Sequence, residues 1–270
     1  MVRCLCMAVL FLLAPALADA EENVGFHETV LDEGGPRPIH VSLWYPTSDQ
    51  AAPVVVGENR VFYGVPAIRD AVPAPGGRAL VVLSHGYGGS WRNLSWLADS
   101  LVRQGYIVAS PDHSGTTTFD RDPAQATRLW ERPRDLKRVI DALAADASLA
   151  GTVDAKRIAA IGHSLGGWTV TALAGARFDT KRLEVDCRAN GSLRACALKS
   201  ELGLTRPELE ADLGDPRLGA FVSLDLGLAR GVFGREDASF TGGEQQHEQH
   251  ERTTHRTMSP EGAKQLFRDR

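Results

Sequence analysis

The apolar and polar positions of the chain fall into two regimes. Thr29-Val30-Leu31-Asp32 is a short apolar run, Glu33-Gly34-Gly35-Pro36 is rich in turn formers, and Ile39 to Tyr45 alternates. Two extended segments around a Gly-rich turn predict a hairpin. Residues 46–78 carry many Pro, Gly and Ala and no sustained period, which predicts a connection over the surface. Then strands and helices alternate. Ala79-Leu80-Val81-Val82-Leu83 is continuously apolar, as a parallel strand covered on both faces must be. Residues 93–104 place Leu94, Leu97, Leu101 and Val102 at helical spacing and end at Gly105. Tyr106 to Ala109 predicts a buried strand, residues 133–145 a helix with Leu136, Val139, Ile140 and Leu143 on one face, and residues 157–161 a strand. A helix over 167–177 and a last strand over 218–224 follow. Repeated strand–helix–strand units imply an α/β fold, with a mostly parallel sheet and helices on both faces.

The two ends of the chain depart from this pattern. Arg3, an apolar stretch from Cys4 to Leu17 and the small residues Ala18-Asp19-Ala20 form the pattern of a cleaved secretory signal, cut after Ala20. The stretch is shorter than the roughly 20 residues that a membrane span needs. From about residue 235 onward aliphatic residues nearly vanish among Glu, Gln, His and Arg, which predicts a disordered polar tail over 235–270. Residues 21–234 are left as one domain. Its two cysteines, Cys187 and Cys196, flank the turn-like Ala189-Asn190-Gly191-Ser192. In an exported protein this predicts a disulfide closing a small loop, with two free buried thiols as the alternative.

Composition narrows the function classes. Of 270 residues 43% are hydrophobic and 24% charged, with a net charge of −4, the balance of an ordinary globular protein. It offers no general electrostatic attraction for nucleic acid or an anionic membrane.

The chemistry is concentrated at strand ends. Gly162-His163-Ser164-Leu165-Gly166 fits Gly-x-Ser-x-Gly between a predicted strand and a predicted helix, the context of a nucleophile elbow with Ser164 as nucleophile. The Leu165 amide then points to where an oxyanion would form. Ser84-His85-Gly86-Tyr87-Gly88-Gly89 follows the first buried strand, and its glycines allow close backbone approach. The Tyr87 amide is the expected second oxyanion donor. These two motifs, with Gly105-Tyr106-Ile107-Val108-Ala109-Ser110-Pro111-Asp112-His113, resemble the predicted dienelactone hydrolases that group with platelet-activating-factor acetylhydrolase. The likeness runs from about residue 25 to 233.

The resemblance implies the α/β-hydrolase fold and hydrolysis of carboxylic esters, often with short acyl groups, without metal or organic cofactor. It also implies a catalytic acid after the strand that follows the nucleophile helix, a position held here by Asp225. The family's histidine lies beyond two further strands. No such strands are legible after Asp225, and the later histidines, His247, His250 and His255, fall in the polar tail. The pattern is that of a fold lacking its last strands through truncation or a frame change near residues 230–235. His85, His113 and His163 match structural positions of the family. His247-x-x-His250 offers no fixed metal geometry in a disordered segment. Residues 179–216 stand where this fold inserts a cap over the pocket. The sequence therefore predicts a secreted or periplasmic serine hydrolase acting on a small ester or lactone. The alternative is a catalytically impaired or non-catalytic homologue.

Overall fold

The computed structural model describes residues 22–228. The predicted signal segment, the polar tail and the three tail histidines lie outside the described residues. The strands are β1 (Asn23–Leu31), β2 (Ile39–Thr47), β3 (Val54–Val56), β4 (Val65–Arg69), β5 (Arg78–Ser84), β6 (Ile107–Asp112), β7 (Val153–His163) and β8 (Leu218–Leu224). The helices are α1 (Ser95–Val102), α2 (Pro123–Ala126), α3 (Glu131–Ala145), α4 (Leu165–Leu173), α5 (Thr180–Ala189) and α6 (Arg194–Ala197), with short 3₁₀ turns at Trp91–Leu94 and Pro207–Glu210.

The strands form one mixed sheet in the order β3-β4-β1-β2-β6-β5-β7-β8. β6, β5, β7 and β8 run parallel, whereas β1 and β2 pair antiparallel as the predicted hairpin, and β2 joins β6 antiparallel. The surface connection expected over 46–78 is corrected. It contains β3 and β4, which pair antiparallel over three residues, and β4 adds to β1 through Gly25↔Ile68 and Phe26↔Arg69. Segments this short cannot display a period against their Pro and Gly neighbours, yet Val65, Ala67 and Ile68 are buried.

The continuous apolar run of β5 is explained by cover on both faces. Leu80 and Val82 join Leu136, Val139, Ile140 and Leu143 of α3, together with Val170 and Leu173 of α4. Val81 and Leu83 face the other way, to Ala98, Leu101 and Val102 of α1 and to an aromatic group of Phe26, Trp44 and Trp91. A third cluster joins Leu165 and Trp168 of α4 to Leu183, Leu202, Leu204 and Leu209, so residues 179–216 pack on α4. The predicted disulfide is present: Cys187 on α5 bonds Cys196 on α6, with Cα atoms 5.6 Å apart. β8 is the last described strand and pairs only with β7 among the described residues, so most of its side chains stay half-exposed. No helix among the described residues is long and apolar enough to cross a membrane.

The aromatic group should dominate one face of the core. Trp44 is fully buried, with its ring centroid 5.2 Å from that of Phe26 and 5.3 Å from that of Trp91. Replacing Trp44 with Ala is expected to cost about 3–5 kcal/mol in urea unfolding. A loss below about 1 kcal/mol would contradict this packing.

Candidate active site

Three backbone segments meet at the carboxyl ends of β5, β7 and β8. Ser164 connects β7 to α4 with φ 55° and ψ −117°, a conformation that L-residues other than glycine rarely adopt. Glycine at positions 162 and 166 permits the turn. A Cβ on Gly162 would stand 2.0 Å from the Gly166 carbonyl oxygen, and one on Gly166 would stand 1.8 Å from that of Ser84. The strained residue is held from the β8 side as well. The Ser164 N–H donates to the Leu224 carbonyl at 2.9 Å, and the Gly227 N–H donates to the Ser164 carbonyl at 3.0 Å.

Asp225 lies inside that clasp, between Leu224 and Gly227. It has φ 49° and an exposed side chain. Tyr87 sits on the loop after β5, two residues beyond the buried His85. Its amide donates to no acceptor among the described residues. Leu165 is the first residue of α4, so its N–H has no acceptor within the helix. Tyr87, Ser164 and Leu165 line one small cavity together with Leu198, Leu202, Leu228 and Arg194. From above, the Tyr87 hydroxyl donates to Glu201, and the Arg121 guanidinium lies 5.8 Å from the Tyr87 ring centre. The structure thus brings Ser164, Leu165 and Tyr87 together, with Asp225 on the adjoining turn.

Among the described residues no histidine hydrogen-bonds to Ser164 or Asp225. His85 and His113 are fully buried and use both ring nitrogens. His85 Nδ1 donates to the Gly86 carbonyl at 2.8 Å, and its Nε2 accepts the His113 backbone N–H at 3.1 Å. His113 Nδ1 donates to Asp135 Oδ2 at 2.9 Å, and its Nε2 is 3.0 Å from Ser84 Oγ. The order Asp135–His113–Ser84 copies the connectivity of a catalytic triad, but all three groups are fully buried and out of reach of a substrate.

This buried cluster escaped the sequence reading. Asp135 accepts both a two-pronged ion pair from Arg37, at 2.9 and 2.7 Å, and a bond from Arg138 at 2.7 Å. Arg132, one turn earlier, is also buried. A signal existed. Arg132, Asp135, Leu136 and Val139 follow the i, i+3, i+4, i+7 spacing of a single helix face, so the two charges continue the stripe that Leu136 and Val139 bury. Burial pushes the His113 imidazole down to about 3, with the Arg132 charge adding to the effect. For Asp135 burial acts upward, but hydrogen bonds from His113 and Arg37 overcome it and hold the carboxyl below its ordinary value. Burial lowers Arg132 to about 9 against the opposing pull of Asp135.

An eight-stranded mixed sheet with helices on both faces, presenting a serine at a strained strand–turn–helix junction, is the framework of an α/β hydrolase. The chain belongs to the alpha/beta hydrolase family, whose model matches residues 81–268. Over 103 residues it is 33% identical to Cutinase est2 of Thermobifida alba, a stretch covering 37% of this chain and 31% of the cutinase. Over 87 residues it is 31% identical to bis(hydroxyethyl) terephthalate hydrolase of Streptomyces coelicolor, covering 32% of this chain and 25% of that enzyme. The chain therefore spans about a third or less of the length of these curated relatives. Among solved structures it is similar to a ferulic acid esterase from Streptomyces cinnamoneus. The TM-score is 0.46 and the identity 31%, over 59% of this chain and 56% of the esterase.

The buried histidine sets a pH dependence of stability. The folded His113 titrates near 3 and its ordinary value is 6.5, so between these values the unfolded chain holds the extra proton. Stability contributed by the neutral ring is therefore present above pH 6.5 and is lost as pH falls toward 3. Asp135 acts with the same sign at lower pH. Asp112, raised by burial from 3.8 to about 6, acts with the opposite sign between those values. The urea midpoint of the His113→Gln variant is expected to fall less steeply than that of the wild type between pH 6.5 and 3. Parallel curves would refute this account.

Proposed function

We propose that the protein is a serine hydrolase that cleaves carboxylic esters of short acyl groups, or small lactones, through an acyl-enzyme on Ser164. The observation that carries this reading is the convergence on one cavity of the strained Ser164 with the Tyr87 and Leu165 amides, which find no acceptor among the described residues. Ser164 Oγ bonds to the ester carbonyl carbon, and its proton leaves through a base. The oxyanion is held by the two amides. Collapse of the tetrahedral species expels the alcohol, which takes up that proton. Water then attacks the acyl-enzyme, releasing the acid and restoring the serine. Asp225 has the place of the acid that orients a histidine base. The apolar wall of Leu198, Leu202 and Leu228 suits a short acyl chain. The names of two curated relatives, a cutinase and a terephthalate ester hydrolase, point to the same bond type.

A second reading has its own observation. No histidine among the described residues bonds to Ser164 or Asp225, which favours a hydrolase-fold protein without turnover. Burst and steady-state hydrolysis of p-nitrophenyl acetate, measured beside Ser164→Ala, separates the two. The first reading expects the alanine variant to lose at least about 10³ in turnover. Equal rates in two folded samples leave the second.

In the same reading, residues 1–20 direct export and are removed, in keeping with the Cys187–Cys196 disulfide. N-terminal sequencing of exported protein is expected to start at Glu21. A start at Met1 would rule out cleavage.

A further inference from the structure

One buried guanidinium binds three separate segments. Arg132, in the first turn of α3, is 1% exposed. Its Nε donates to Thr169 Oγ1 on α4 at 2.9 Å, and its Nη1 to Thr116 Oγ1, beyond β6, at 2.6 Å. Its Nη2 reaches both Ser84 Oγ, at 3.2 Å, and the His85 carbonyl oxygen. Thr169 Oγ1 donates onward to the Leu165 carbonyl at 3.0 Å. The loop that carries Tyr87 and the helix that begins with Leu165 are thus bolted to one rigid plane. A buried cation is a costly way to fill space, because its desolvation must be offset by the bonds it makes.

His85 acts on the next peptide. Its Nδ1–H and the Gly89 N–H, the latter at 3.1 Å, both donate to the Gly86 carbonyl. That carbonyl and the Tyr87 N–H belong to the same peptide unit. The unit is planar and trans, so its oxygen and its N–H point in opposite directions. Pinning the oxygen with two donors from behind therefore fixes the direction of the Tyr87 N–H, and also polarises it as a donor. The bond from the His113 backbone N–H to His85 Nε2 leaves the ring proton on Nδ1, where this arrangement needs it.

We infer that Arg132 and His85 are positioning residues for the oxyanion hole. Arg132 locks the loop of the Tyr87 amide to the helix of the Leu165 amide, and His85 sets the direction in which the Tyr87 amide points. Neither side chain touches substrate, since both are buried and neither lines the cavity. The inference rests on the ester-hydrolase reading for its purpose, but the geometry it asserts is independent of turnover.

The test uses the full chain and its Arg132→Met, Arg132→Lys, His85→Phe and Thr169→Val variants. kcat and KM are measured on p-nitrophenyl acetate, and the Tyr87 amide is followed by its ¹H–¹⁵N resonance and by crystal structures. Arg132→Met and His85→Phe are expected to lose about 10²–10³ in kcat, the cost of one oxyanion donor, with KM changed less than about threefold. Arg132→Lys should recover at least about tenfold over Met, and the Tyr87 resonance should move in the Met and Phe variants. Thr169→Val cuts only the link to α4. It keeps the volume of the side chain, so it supplies the answer if the larger changes prevent folding, with an expected kcat loss of about tenfold at unchanged KM. Folded variants with unchanged kcat and an unmoved Tyr87 resonance would overturn the inference. So would kcat falling only in step with the folded fraction, with no gain from lysine. If the wild type fails to exceed Ser164→Ala, the hydrolase reading falls. The Tyr87 resonance and the variant structures then decide the positioning role alone.

Discussion

The site depends on backbone approaching backbone at van der Waals limits. Ser84 at the end of β5, the Gly162–Gly166 turn after β7 and the Leu224–Gly227 turn after β8 crowd together so closely that a single methyl group would collide with a main-chain atom. Gly227 shows how tight the fit is. A Cβ there would stand 2.8 Å from Ser164 Oγ and from the Leu165 nitrogen. Ser164 occupies a left-handed conformation that costs of order 1–3 kcal/mol and persists only because its surroundings over-determine it. The bond that the Ser164 N–H gives to the Leu224 carbonyl and the one that the Ser164 carbonyl accepts from the Gly227 N–H supply that determination. The elbow is therefore a property of three strands at once, and β8 matters to it as much as β7 does.

Beneath this crowded layer lies an ionic one. Asp135 gathers Arg37, Arg138 and His113, and Arg132 spans the floor of the loop above. Asp135 is paired with Arg37 and Arg138, whereas the Arg132 guanidinium is held by neutral acceptors, three hydroxyls and a backbone carbonyl, and bonding of this kind is the condition under which burial is tolerated. The layer connects the segment before β2, through Arg37, to the helix that holds the loop carrying Tyr87. In this way the N-terminal hairpin and the carboxyl end of the sheet share one polar scaffold.

Much of the framework was legible in the sequence, because sheet strands covered on both faces leave an unbroken apolar run and helices leave a period. β5 and β8 fall within one residue of their expected limits. α4 begins two residues earlier than its apolar pattern suggests. Gly166 and Gly167 occupy its first turn, and the residues that read as turn formers are there for close approach. β3 and β4 were hidden because three and five residues are too few to show alternation. The strand–turn–helix setting of Ser164 and Leu165 was legible from Gly-x-Ser-x-Gly between an apolar run and a helical period, and the place of Tyr87 on the loop after β5 from the glycines around it. Apart from the neighbouring Gly86, the partners of His85, His113 and Arg132 were not, because those contacts lie 16 to 48 residues away along the chain and no local pattern encodes them.

The cavity has walls of two origins. Ser164 and the two amides belong to the ends of sheet strands, whereas Leu198, Leu202 and Arg194 come from the segment between α4 and β8. That segment is closed on itself by the Cys187–Cys196 bond and rests on α4 through its own apolar cluster. Side chains of residues 179–216 can therefore change the second wall of the cavity without displacing the main-chain contacts that hold Ser164 in its strained conformation.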